Sequence, residues 1–212
     1  GVILANHHFG QIAGIAPRVS IMPISHPIDP NPVATGYGTQ LAKGISYAVE
    51  HGADIINCSW GSPWKGSATN YYYSPMLENA LENALKDGRD GKGCIVVFGA
   101  GNGEDLQKEI YYPGNQHKES LVVGAIDSIK QKVDVYSFGN QLDVVAPGKA
   151  VHTTTPPNGY GIVSGTSIAA PYVSGIAALI LSVRPDLTRK EVVDIIESTA
   201  RDDVFSVNYS FK

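Results

Sequence analysis

Cysteine is nearly absent. Two residues in 212 are too few for a disulfide framework, and Cys58 and Cys94 each sit inside an apolar, strand-like run, where a thiol behaves as a small buried hydrophobe. Long hydrophobic runs are missing too. The longest, such as Ile176–Leu181, fall far short of the roughly 20 residues that a helix needs to cross a bilayer, so no membrane role is expected. No charge of one sign is concentrated anywhere. The 16 basic and 20 acidic residues give a formal charge of −4 without a basic cluster, and nothing marks a nucleic-acid or anionic-membrane partner. Methionine is limited to Met22 and Met76. There is no internal repeat and no low-complexity tract. What is plentiful is apolar side chain, 43% of residues against 17% charged, enough to enclose one core. A single domain over residues 1–212 is expected.

The apolar residues fall into two patterns. Val19–Ile24, Asp54–Cys58, Cys94–Gly99, Leu121–Ala125 and Leu142–Ala146 are short and nearly continuous, as in strands covered on both faces, which favours a parallel sheet. Gln40–His51 and Pro75–Asp87 instead repeat their apolar residues at three and four positions, the period of a helix. Ser174–Val183 is apolar almost all round and rich in small residues, which predicts a helix enclosed by the fold. Leu187–Thr199 is an ordinary amphipathic helix, with Thr188 and Glu191 at capping-box spacing. Alternating strands and helices make the fold class α/β: doubly wound, a mostly parallel sheet with helices on both faces.

Ligands of such sheets bind beyond the carboxyl ends of the strands, so the loops there are the places to search. Gly99-Ala100-Gly101-Asn102-Gly103 follows directly on a strand. A dinucleotide could approach such glycines, but no long apolar helix follows them; a plain turn would explain the glycines without requiring the amide at Asn102. Gly165-Thr166-Ser167-Ile168-Ala169-Ala170-Pro171 leads into the apolar helix. A serine in a first helical turn has its hydroxyl among unpaired backbone N–H groups at the positive end of the dipole, where an oxyanion is stabilised. Pro171 has no N–H to return to the Ser167 carbonyl, so the turn should be distorted there. The plainer alternative is that Thr166 or Ser167 merely caps the helix. The nucleophile elbow G-x-S-x-G is not matched, because Ala169 stands two residues after the serine.

Together these loops resemble the subtilisin-like serine protease family (subtilases, peptidase family S8), whose nucleophile lies in G-T-S-M-A-x-P and whose oxyanion asparagine lies in A-G-N. Further landmarks occur in the family's order: Gly14-Ile15-Ala16-Pro17, Asp54-Ile55-Ile56-Asn57-Cys58-Ser59-Trp60-Gly61, Tyr112-Pro113-Gly114, Val122-Val123-Gly124-Ala125, and Leu142-Asp143-Val144-Val145-Ala146-Pro147-Gly148. The resemblance implies a serine endopeptidase with Ser167 as nucleophile and Asn102, with the Ser167 N–H, as oxyanion hole. It implies an extended polypeptide substrate clasped between Gly36–Gly38 and Ser59-Trp60-Gly61, with Gly99, Ala100 and Gly101 lining the pocket for the side chain before the cut. Trp60 stands where a smaller aliphatic is usual, and either narrows that pocket or packs under the loop of Trp64. A secreted or extracytoplasmic protein is likewise implied.

The family's catalytic Asp and its H-G-T histidine precede the serine in the chain, and neither motif occurs here. Gly1–Asn6 resembles the continuation of the histidine helix, and Asp202–Lys212 lacks the family's closing segment. The expectation is a domain trimmed at both ends, inactive as it stands, with a propeptide or complementary N-terminal segment as a partner. His51 is expected to end a helix, and His26, His117 and His152 to lie on the solvated surface. His7 and His8 fall where relatives often bind calcium, a cation for which imidazole is a poor ligand, so no metal site is assigned and no cofactor is required. Ile168 and Tyr172 replace the usual Met and His beside the nucleophile without removing a catalytic group. The alternative function is a non-catalytic, subtilisin-like peptide-binding module; a weaker one is nucleotide binding at Gly99–Gly103.

Overall fold

The structure is a computed structural model that describes residues 1–6, 12–25, 36–63, 70, 72–103, 109–131, 136–157 and 159–202. In chain order its elements are α1 (Tyr37–Glu50), β1 (Ile55–Cys58), α2 (Pro75–Lys86), β2 (Ile95–Gly99), β3 (Leu121–Ile126), β4 (Val144–Pro147), β5 (Val151–Thr155), β6 (Gly159–Val163), α3 (Thr166–Val183) and α4 (Arg189–Thr199). The first four strands form one parallel sheet in the order β1-β2-β3-β4.

The continuous apolar runs are explained by helices on both sides. Successive side chains of a strand point to opposite faces. In β2, Val96 and Phe98 join Ile56 and Cys58 of β1 in packing under Leu41 and Ile45 of α1 and Leu77, Leu81 and Leu85 of α2. Ile95 and Val97 join Leu121 and Val123 of β3 on the opposite face, against Ala170, Val173 and Ala177 of α3 and Val192 and Ile196 of α4. Ser74 caps α2 by accepting from the Leu77 N–H, and Pro75 follows where a missing N–H costs nothing. The capping box of Thr188 and Glu191 is present at α4.

Three expectations are corrected. Val19–Ile24 forms no strand, and Ile21 is 60% exposed. An apolar run becomes a strand only where a neighbour accepts its ladder bonds, and among the described residues none lies beside it. The helix expected to be enclosed, α3, is covered on its sheet side but exposes Ile176, Leu179 and Val183. Its length and apolarity would suffice to cross a membrane, yet its buried face packs on the strands. Third, β5 and β6 form an antiparallel hairpin where no strand was expected. Its signal is an alternation, Val151 and Thr153 buried between the exposed His152 and Thr154, that single residues obscure.

Candidate active site

The end of β2 and the start of α3 meet through three hydrogen bonds. Gly101 N–H donates to Thr166 Oγ1 at 3.1 Å, while the Thr166 N–H and hydroxyl both donate to Asn102 Oδ1, at 2.8 and 3.0 Å. A backbone N–H can only donate, so the Asn102 atom facing it must be the carbonyl oxygen. The other polar atom of the amide is then the nitrogen, which lies near Gly165. Gly165 has φ 149°, a conformation open to glycine, and a methyl group built on it would stand 3.3 Å from Asn102 Nδ2 and 3.7 Å from Ser167 N. The Asn102 oxygen would stand 3.6 Å from the same methyl group, so both polar atoms of Asn102 and the Ser167 nitrogen border the position that glycine leaves without a side chain. Neither Thr166 nor Ser167 caps α3; Gly165 occupies that position, without a side-chain bond. The Gly101 N–H, engaged by Thr166, is not free to hold a phosphate.

Pro171 lies inside α3 and cannot donate to the carbonyl of Ser167, four residues before it. That carbonyl is satisfied from another element. Ser59 Oγ, just past β1, donates to Ser167 O at 2.9 Å; Asn57 Nδ2 donates to Ser59 Oγ at 2.9 Å; and Ser174 Oγ of α3 donates to Asn57 Oδ1 at 2.9 Å. The chain of bonds starts and ends on α3 and fixes the backbone of Ser167 against the end of β1.

A cleft of about 260 Å³ opens beside Ser167. Of the residues expected there, Ser59, Trp60, Gly61, Gly99, Gly101, Asn102 and Ser167 all line it. Tyr72, Tyr111 and Thr166, which were not anticipated, join them. Ala100 does not: its side chain packs with Ile110 and Val122, its N–H donates to Val123 O, and its carbonyl accepts from Tyr111 N–H. Gly36 lies outside the lining as well, at the N-terminal cap of α1 with φ 120°. Of the two roles considered for Trp60, packing under the loop of Trp64 falls outside the described residues. Trp60 borders the cleft while stacking on Tyr72 (5.8 Å between centroids, 3° between planes) and meeting Phe98 edge-on.

Among the described residues, no histidine or carboxylate lines the cleft. Its ionisable members are Tyr72 and Tyr111, and burial, helped by Tyr37, pushes the Tyr72 phenol up, away from ionisation. The two thiols are no substitute: burial raises Cys58 to about 12 and Cys94 to about 11. His51 ends α1 as expected, with Nδ1 2.8 Å from Tyr47 O, and His152 is exposed. His117 is not on the solvated surface. It is buried with Nε2 3.3 Å from Glu78 Oε2, because the turn after Tyr112-Pro113 folds it back onto α2. His7, His8 and His26 lie outside the described residues, and among the described residues no three His, Cys, Asp or Glu side chains cluster as metal ligands would.

The subtilase family model matches residues 1–211. Subtilisin DY of Bacillus licheniformis is 35% identical over 202 residues, covering 94% of this chain and 68% of that protein. The major intracellular serine protease of Bacillus subtilis (strain 168) is 34% identical, covering 91% of this chain and 56% of that protein; since this relative is intracellular, family membership by itself assigns no compartment. Other subtilisins are spanned to about half their length, 49%. Among solved structures, a protease of Pseudoalteromonas arctica PAMC 21717 superposes with a TM-score of 0.76 at 28% identity, covering 95% of this chain and 62% of that one. With its fold and its sequence both matched, the chain belongs to the subtilase family of subtilisin-like serine proteases.

Proposed function

We propose that the protein is a serine endopeptidase in which Ser167 Oγ attacks the scissile carbonyl of an extended polypeptide. The observation that carries this reading is the orientation of Asn102. With its oxygen accepting from Thr166, its amide nitrogen and the Ser167 nitrogen both border the Gly165 position, and donors at that point stabilise the oxyanion that forms as the carbonyl becomes tetrahedral. Collapse of that intermediate releases the amine and leaves an acyl group on Ser167, which water then removes.

The hydroxyl needs a base to take its proton, and among the described residues none lines the cleft. On this reading the base and its orienting carboxylate come from a complementary segment outside these 212 residues, as the family's motif order implies, and the chain alone is inactive. Purified by itself it should neither cleave casein nor take up a fluorophosphonate probe. The protein expressed with its upstream coding segment should do both, and Ser167→Ala should abolish both. If the longer protein binds peptides but reacts with no probe, the reading as a non-catalytic peptide-binding module replaces this one.

A further inference from the structure

The two lips of the cleft, Ser59–Gly61 and Gly99–Gly101, are bridged at one end by Tyr111. A methyl group built on Gly101 would stand 2.5 Å from Tyr111 Cδ1 and 2.6 Å from its Cγ, and one built on Gly61 would stand 3.3 Å from its Cβ. The tyrosine thus lies directly on the backbone of both lips. It is also held there. Tyr111 N–H donates to Ala100 O at 2.8 Å and Tyr111 O accepts from Asn115 N–H at 3.1 Å. The next residue, Tyr112, pairs with Ser62 in both directions, at 3.1 and 2.9 Å, and its fully buried ring carries a hydroxyl that donates to Glu78. These bonds fix the backbone from which the Tyr111 ring projects. Opposite it, Trp60 is fixed by its stack on Tyr72. Two aromatic rings and glycine backbone therefore bound the space next to Ser167, and among the described lining residues no charged group accompanies a charged side chain into it.

Given the protease reading above, we propose that Tyr111 closes the pocket for the residue preceding the scissile bond, so that the enzyme cuts after small, uncharged residues such as alanine, glycine and serine. A shape-limited apolar pocket sorts side chains by about 10–200-fold per methylene, so alanine should exceed phenylalanine or leucine by at least about 10-fold in kcat/KM.

The test uses the protein carrying its base-bearing segment, a fluorogenic peptide library varied only before the cut, and the variants Tyr111→Gly, Tyr111→Ala and Tyr111→Phe. Wild type and Tyr111→Phe should share the small-residue profile. Tyr111→Gly and Tyr111→Ala should raise kcat/KM for phenylalanine and leucine relative to that for alanine by at least about 10-fold. Wild type cleaving equally well after phenylalanine, or a profile unmoved in both the glycine and alanine variants, would overturn the proposal. A parallel measurement of binding by peptide boronic acids ending in boro-alanine or boro-phenylalanine separates the two readings. Selective binding with no hydrolysis by any variant defeats the protease reading and leaves the pocket standing; absence of selectivity in binding defeats the pocket.

Discussion

If Ser59 supplies the hydrogen bond that Pro171 denies to the Ser167 carbonyl, the two residues must be energetically coupled, and a double-mutant cycle can measure that coupling in the 212-residue chain without any activity. Ser59→Ala leaves the Ser167 carbonyl and Asn57 Nδ2 without the partner now at 2.9 Å from each. An orphaned, part-buried polar group costs about 1–3 kcal/mol, so the substitution should cost about 2 kcal/mol, or about 4–8 °C in Tm for a chain of this size. Pro171→Ala returns an N–H to the helix and gives the carbonyl its ordinary partner. On that background only Asn57 Nδ2 is orphaned, and the cost of Ser59→Ala should fall to about 1 kcal/mol. The assay is urea unfolding of the four proteins followed by far-ultraviolet circular dichroism and tryptophan fluorescence. A cost of Ser59→Ala equal on both backgrounds within about 0.5 kcal/mol, the range of independent sites, would refute the compensation.

In the protein that carries its base-bearing segment, Asn102→Ala should lower kcat by about 10²–10³, the range seen when an oxyanion donor is removed from subtilisin itself, with a much smaller change in KM; an unchanged rate would place the oxyanion elsewhere. Ile168 cannot form a sulfoxide, so that protein should keep most of its activity through mild peroxide, whereas Ile168→Met should lose activity in step with oxidation at 168 as read by peptide mass spectrometry; equal loss in both without modification at 168 would show that the sensitive site lies elsewhere. Asp143 bears on stability. Burial raises its carboxyl to about 6, with Glu197 adding to the rise and the Val122 N–H opposing it. The native state then holds this proton more tightly than the unfolded chain between about pH 4 and 6, so stability falls as pH rises through that window and the penalty persists at neutral pH. Asp143→Asn, whose amide oxygen can still accept from Val122 N–H, should raise Tm at pH 7.5, with the gain shrinking to nothing by pH 4; no gain at pH 7.5 would show that the carboxylate is not penalised by burial.

The parts of the site that the sequence reveals are those whose cause is local. Val96, Val97 and Phe98 read as a doubly covered strand because a polar residue on either face would have broken the run. Ser167 stands out because a glycine, a serine and a proline at fixed spacing constrain one turn, and Asn102 because it follows a strand between glycines. The residues that were missed work across distance. Pro171 announces from the sequence that the carbonyl at 167 lacks its helical partner, but the hydroxyl that answers it is 108 residues away, and nothing near Ser59 says so. Thr166 has the composition of a cap; its bonds to Gly101 and Asn102 become visible only when β2 and α3 are side by side. Tyr111 belongs to a recognisable Tyr-Pro-Gly neighbourhood, yet its position across the lips depends on the pairing of Ser62 with Tyr112. His117 was misread for the same reason, since the turn that buries it is set by contact with α2 and not by its neighbours in the chain. A serine and an asparagine thus suggest which atoms react, while their aim is decided by residues such as Thr166, Ser59 and Asn57, whose roles exist only in the folded packing.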